Sequence, residues 1–146
     1  MRLGQEIPEF VTTCEWLNSQ SLLTEDIRKA SKPCCFHFWS ISCGLCKQAM
    51  PRFNNIYDKH KHNVQFISVH TPLFEKDKNT GEIGNVVEEY HLQQPIAVDH
   101  QEEISEAFHV KFVPAYYLFD ALGKLRHLQR GKTNVNLLEK NIQRLI

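Results

Sequence analysis

Neither sign of charge is in excess in this chain. Lys and Arg together number 17, as do Asp and Glu, so the formal net charge is zero with the histidines neutral. That balance offers no general electrostatic hold on a nucleic-acid backbone or an anionic membrane surface, and no binding of either is expected. Long hydrophobic runs are missing as well. No window of about 18 apolar residues occurs, which argues against a membrane-spanning helix. The opening residues, Met1 to Val11, carry one early Arg but no apolar run of about 7 to 15 residues, and reach Glu6 and Pro8 at once. No secretory leader is expected there, and the expected location is the cytoplasm.

Cysteine is sparse outside one short stretch. Five cysteines are an odd number, and four of them crowd between 34 and 46, which is not the framework of a disulfide-stapled secreted domain. The single Cys-x-x-Cys has no second knuckle and no suitably flanked histidine pair to complete four zinc ligands, so no metal is expected. His60 and His62, set among lysines, read as a solvated face. Arg130-Gly-Lys-Thr133 lacks the glycine five positions before Gly131 that a phosphate-binding loop requires. Repeats, linkers and low-complexity segments are absent too. With 42% hydrophobic and 23% charged residues, the 146 residues fit one domain spanning 1–146.

What is present is the stretch Cys34 to Pro51, where an apolar run ends in Cys43-Gly-Leu-Cys46. If Gly44 opens a helix, both sulfurs lie on its first turn, close enough to form a disulfide. The unpaired N–H groups of a helix start favour thiolate over thiol, and thiolate is the nucleophile of disulfide exchange. The chemistry indicated is reversible dithiol–disulfide exchange, with Cys43 attacking and Cys46 resolving. Cys34 and Cys35 read as small packing residues of a strand, and Cys14 as a half-exposed thiol with nothing nearby to activate it.

Cys34 to Trp39 reads as a strand buried on both faces, and Val64 to His70 as a second. The helix between them carries Leu45, Ala49, Phe53, Ile56 and Tyr57 on its expected apolar face, with a bend at Pro51, and ends in the polar run Asp58 to Asn63. A strand, helix, strand unit of this kind is parallel and right-handed, and puts the cysteines at the carboxyl edge of the sheet. Before it come a short edge strand at Glu15 to Leu17 and a short helix capped by Thr24 and ended before Pro33. After it come a turn-rich segment from Thr71 to Gly84, a helix about Asn85 to His91, a strand about Pro95 to Asp99 and a helix about Glu102 to Phe108. Strands at Ala115 to Phe119 and Leu125 to Arg130 flank the turn Asp120-Ala-Leu-Gly123 as an antiparallel hairpin, and Asn134 to Ile146 closes the chain as a helix with Leu137, Leu138, Ile142 and Leu145 on one face.

Together these residues resemble the thioredoxin superfamily: a buried strand with Trp39, Cys43-Gly-Leu-Cys46 at a helix start, Pro51 within that helix, then Val113-Pro114 and a hairpin. The helix and strand between 83 and 99 resemble the insertion of the branch typified by TlpA and ResA. Phe38-Trp-Ser-Ile-Ser-Cys-Gly-Leu-Cys-Lys47, Ala49-Met-Pro51 and Val113-Pro-Ala-Tyr-Tyr117 resemble the soluble thiol–disulfide oxidoreductases of that branch. The resemblance implies an α/β thioredoxin fold, a central mixed β-sheet flanked by helices with the helix–strand insertion. It implies Cys43 as the exposed attacking cysteine, Cys46 as the buried resolving one, and Pro114 as the family's cis-proline, leaving the backbone of Val113 to pair with substrate. Three positions depart from the family. Ser42 replaces the Trp usual before the first cysteine, so aromatic cover over the disulfide has to come from Trp39 or elsewhere, or be absent; Trp39, Val113 and Pro114 are the expected substrate-binding residues. His37 replaces thioredoxin's buried acid, and Ala49 the glutamate of ResA. His37 is therefore the candidate for proton transfer to and from Cys46.

The expected activity is reduction of protein disulfides, with an upstream thiol reductant, no cofactor beyond the redox-active Cys43–Cys46 disulfide, and a monomeric state. One alternative is a thiol peroxidase: Ser40 in Ser40-Ile-Ser-Cys43 stands where peroxiredoxins carry a threonine, but without the accompanying proline. Another is a dithiol redox or metal sensor that binds a partner.

Overall fold

A computed structural model describes residues 1–10, 13–131 and 135–146. Their elements are β1 (Glu15–Leu17), α1 (Thr24–Lys29), β2 (Cys34–Trp39), α2 (Gly44–His60), β3 (Gln65–His70), a 3-10 turn (Glu75–Lys78), α3 (Thr80–Glu89), β4 (Ile96–Val98), α4 (Glu103–Ala107), β5 (Ala115–Phe119), β6 (Leu125–Arg130) and α5 (Val135–Gln143). All six strands form one sheet in the order β1-β4-β3-β2-β5-β6. β2, β3 and β4 run parallel, while β1 on one side and β5 and β6 on the other are antiparallel to their neighbours. The mixed sheet is thus a parallel centre with antiparallel margins. The folded chain has the thioredoxin-like architecture that its sequence resembles. Among the described residues no helix is long and apolar enough to cross a membrane.

β2 lies in the middle of the sheet, and its near-continuous apolar run follows from burial on both faces. Cys34, Phe36 and Phe38 point into one layer with Phe108, Tyr117 and Phe119; Cys35 points into the other with Phe53, Phe66, Tyr116 and Leu138. The first layer is an aromatic cluster in which the Phe36 and Phe108 rings are 4.6 Å apart. Burying each such ring contributes roughly 1.5–3 kcal/mol. A third cluster, with Trp39, Cys46, Met50, Ile83 and Val98, fills the space beneath the Cys-x-x-Cys turn.

Several local expectations are corrected. Thr24 is the first residue of α1 rather than its cap: its hydroxyl donates to the Pro8 carbonyl at 3.0 Å and accepts from the Phe10 N–H at 3.2 Å, while Asp26 accepts the Leu23 N–H at 2.9 Å. α2 runs through Pro51 to His60 and buries Cys46, Met50, Phe53, Ile56 and His60, leaving Leu45 exposed. In its N-terminal half the face is turned by one residue, about 100°, because Cys46 points inward and carries Met50 with it, while Phe53 and Ile56 are buried as expected. His60 is not on a solvated face; its Nε2 lies 2.9 Å from Glu139 Oε2, joining the end of α2 to α5. The segment from Thr71 to Gly84 is not all turn. It holds the 3-10 turn and the start of α3, whose first turn is capped by Asn79 Oδ1 accepting the Glu82 N–H at 3.0 Å. Gly81 and Gly84 lower helix propensity there and make the sequence read as loop. On α5, Leu137 is exposed and Val135 takes its place beside Leu138 and Ile142. Asn134, and Lys132 and Thr133 of the rejected phosphate-loop motif, lie outside the described residues.

Candidate active site

The parallel centre of the sheet brings the ends of β2 and β3 to one edge, and α2 begins there. Cys43 is the N-cap of α2 and is disulfide-bonded to Cys46, with Cα atoms 5.2 Å apart. Its sulfur accepts the Cys46 N–H at 3.1 Å, one of the helix-start donors that stabilise negative charge on sulfur. Cys43 is 8% exposed and Cys46 fully buried, so only the first sulfur is open to a partner. The Val113–Pro114 bond is cis, and the Val113 carbonyl oxygen stands 3.8 Å from Cys43 Sγ. Val113 is half-buried and Pro114 buried, whereas Phe112, just before Val113 in the chain, and Leu45, between the two cysteines, are exposed.

The turn Ser40–Ser42 joins β2 to Cys43 and is closed by the Cys43 N–H donating to the Ser40 carbonyl at 3.0 Å. It is tied from two sides. His70 Nε2, at the end of β3, accepts the Ile41 N–H at 3.1 Å. Asp77, in the 3-10 turn, accepts from the Ser42 hydroxyl through Oδ1 and from the Ser40 hydroxyl through Oδ2 at 3.3 Å; Oδ2 also accepts the N–H groups of Leu73 and Phe74, each at 2.9 Å. Burial opposes ionisation of Asp77, but the bonds from Ser42, Phe74, Leu73 and Ser40 outweigh it and hold its pKa below the ordinary carboxylate value. Beside this turn runs a groove of about 560 Å³ lined by Ile41, Ser42, Lys47, Phe74 and Lys76 among others.

A family model described as Redoxin matches residues 2–146. This chain belongs to the Redoxin family. It is 40% identical over 146 residues to the thiol-disulfide oxidoreductase YkuV of Bacillus subtilis (strain 168), covering 100% of this chain and 97% of that protein. It is 28% identical over 146 residues to the thiol-disulfide oxidoreductase ResA of Bacillus thuringiensis subsp. konkukian (strain 97-27), covering 99% and 79%. The solution structure of a thioredoxin-like protein in the oxidized form superposes with a TM-score of 0.87 at 40% identity, covering 99% of this chain and 97% of that one.

In this Redoxin, His37 and Trp39 both lie in the interior. Trp39 is fully buried among Cys46, Met50 and Ile96, so it packs beneath the disulfide instead of facing a substrate. His37 is buried between the Phe53 ring at 4.4 Å and the stacked Tyr116 ring at 5.1 Å. Gln94 Oε1 accepts the Gln93 N–H, so Gln94 Nε2 faces Ser68 and donates to its hydroxyl at 2.8 Å. The Ser68 proton is then directed at His37 Nδ1, 2.8 Å away, which assigns the neutral tautomer with hydrogen on Nε2. Burial pushes the His37 pKa down to about 3. A histidine held neutral this way is a weak base near pH 7.

Sequence reasoning missed Asp77 and His70. Asp77 stands in Glu75-Lys-Asp-Lys78, which reads as solvated charge, and only its place three residues after Phe74 hints that it closes a turn. Nothing in the spacing links residue 77 to residue 42; the parallel pairing of β2 with β3 does.

Proposed function

We propose that this chain is a thiol–disulfide oxidoreductase that reduces disulfide bonds of protein substrates. The observation that carries this is the Cys43–Cys46 pair at the start of α2, bonded, with one sulfur reachable and the other buried. In the reduced protein the Cys43 thiolate, stabilised by the helix-start N–H groups, attacks one sulfur of a substrate disulfide and forms a mixed disulfide while the other substrate sulfur leaves as thiolate and takes up a proton. Cys46 loses its proton and attacks Cys43 Sγ, releasing the second substrate thiol and restoring the Cys43–Cys46 disulfide. Two electrons have then passed to the substrate, and an upstream dithiol returns them. The dithiol/disulfide itself is the only redox group this cycle uses.

Val113 and Pro114 line the substrate side of Cys43, and exposed Leu45 and Phe112 offer apolar contact on either side of it. Trp39 has no part in that contact. The net charge of zero supports recognition of proteins over nucleic acid or anionic membrane. A reducing compartment, the cytoplasm, suits the reductive direction, and a monomer suffices for the chemistry.

Trapping tests the reading. Cys46→Ser should hold Cys43 in stable mixed disulfides with substrates, whereas Cys43→Ser should trap nothing. Trapping by Cys43→Ser alone would reverse the two roles. Turnover of peroxide with no turnover of insulin disulfides would replace the reading with a peroxidase.

A further inference from the structure

Cys43 is held from two directions. On the helix side, its carbonyl accepts the Lys47 N–H at 3.2 Å and its sulfur accepts the Cys46 N–H. On the other side it hangs from the Ser40–Ser42 turn, in which Ser40 is buried, while Ile41, packed against the cluster beneath, and Ser42 are half-buried. What fixes it is a carboxylate from a segment more than thirty residues away, 1% exposed, which gathers two serine hydroxyls and two backbone N–H groups. Four donors on one carboxylate satisfy its acceptor sites and leave it little freedom to move.

We propose that Asp77 is a positioning residue for Cys43, fixing the turn that carries it and supplying the negative charge against which the Cys43 thiolate forms. The inference rests on the reading of Cys43 as the attacking cysteine. Four donors already occupy the carboxylate, so Asp77 acts by its position and its charge. It acts through Ser42, the residue immediately before Cys43. Its charge opposes the positive end of α2, so the thiolate of Cys43 forms less readily than the helix start alone would allow. The other charged groups on this side are Lys47, Lys76 and Glu82, which line the same groove. His70 is neutral, its pKa pushed down to about 4 chiefly by burial, against an opposing pull from Asp77. Among the charged groups on this side Asp77 alone is both buried and bonded directly to the Cys43 turn; His70, also buried and bonded to it, carries no charge.

The test is the titration of Cys43 in the reduced protein, followed by thiolate absorbance against pH, with Cys46→Ser as background so that one thiol of the pair remains. Asp77→Asn keeps the size of the side chain and removes its charge. It should move the Cys43 midpoint down by about one pH unit. Asp77→Glu, which restores the charge, should return most of that change. A midpoint within 0.2 of the parent in a folded Asp77→Asn protein overturns the proposal. If Asp77→Asn does not fold, Ser42→Ala decides instead, since it leaves the backbone bonds of Asp77 in place. The rate constant of Cys43 with a disulfide substrate should then fall about tenfold with the melting temperature unchanged, and a rate within twofold of the parent overturns it. These failures differ from failure of the underlying reading, in which the unmodified protein itself would not exchange with disulfides.

Discussion

Two histidines are held neutral in the interior, and each ties stability to pH. Burial lowers the His37 pKa to about 3 and the His70 pKa to about 4, both below the ordinary value of 6.5. Between the folded and unfolded values the unfolded chain binds more protons, so stability is complete above about pH 6.5 and is lost as the pH falls. Each histidine withdraws at most ~1.4 kcal/mol per pH unit in that window. The carboxylates with lowered pKa, Glu6, Asp77 and Glu139, act the same way only further down, near and below their own values. Urea unfolding at pH 7.5 and pH 5 separates the two groups: the midpoint should drop clearly between them, and an unmoved midpoint would show that His37 and His70 are protonated in the folded state. The legible part of the site at this scale was the pair Cys43 and Cys46, whose spacing and position at a helix start are local facts. His37 was legible as an unusual residue but not as a neutral one, because its partners Ser68 and Gln94 and the rings of Phe53 and Tyr116 come from other elements.

At the scale of the element, α2 is the helix whose face was misread. Its C-terminal half followed the apolar period, with Phe53 and Ile56 buried as expected; its N-terminal half did not, because Cys46 and Met50 set the inward direction while Leu45, the more hydrophobic residue, faces out. Hydropathy ranks Leu above Cys, but the redox chemistry needs the second sulfur inside. The energetic consequence is unequal. Met50→Ala should cost about 2–5 kcal/mol through lost burial and the cavity left behind, and Leu45→Ala less than about 1 kcal/mol. Denaturant unfolding of both variants in the oxidised state checks this, and equal losses would mean that Leu45 is packed in solution. α3 was found four to five residues late for a related reason: its start is marked by the Asn79 cap, and the glycines that follow conceal it. The strands were legible to within a residue or so. Their apolar runs are short, and each is bounded by turn residues.

For the whole molecule, the order of strands could not be read from periodicity. It rests on pairing between distant segments: β1 against β4 at one margin, β5 against β2 in the middle, β6 against β5 at the other margin. The parallel pairing of β2 with β3 has a visible result, since it delivers Ser42, His70 and Asp77 to one edge, where the Val113 carbonyl, just before β5, stands beside Cys43. β2 and the turn that follows it carry thiols of unequal exposure, Cys34 at 1% and Cys35 at 0% against Cys43 at 8%. Burial pushes the Cys34 thiol well up and the Cys35 thiol to about 12, so in the reduced folded protein an alkylating reagent near neutral pH should label Cys43 and spare both until the chain is unfolded. Labelling of Cys35 at the rate of Cys43 under native conditions would contradict the described packing.

That contrast makes β2 a two-channel recorder of its own opening. Cys35 sits at the centre of the sheet with strands on both sides, and it becomes reactive only when the sheet as a whole separates. Cys43 hangs just past the end of the same strand on a turn held by β3 and the segment after it, and it responds when that corner alone loosens. Comparing the two labelling rates across a denaturant series separates a local breath at the redox corner from global unfolding, with no reporter group added to the chain.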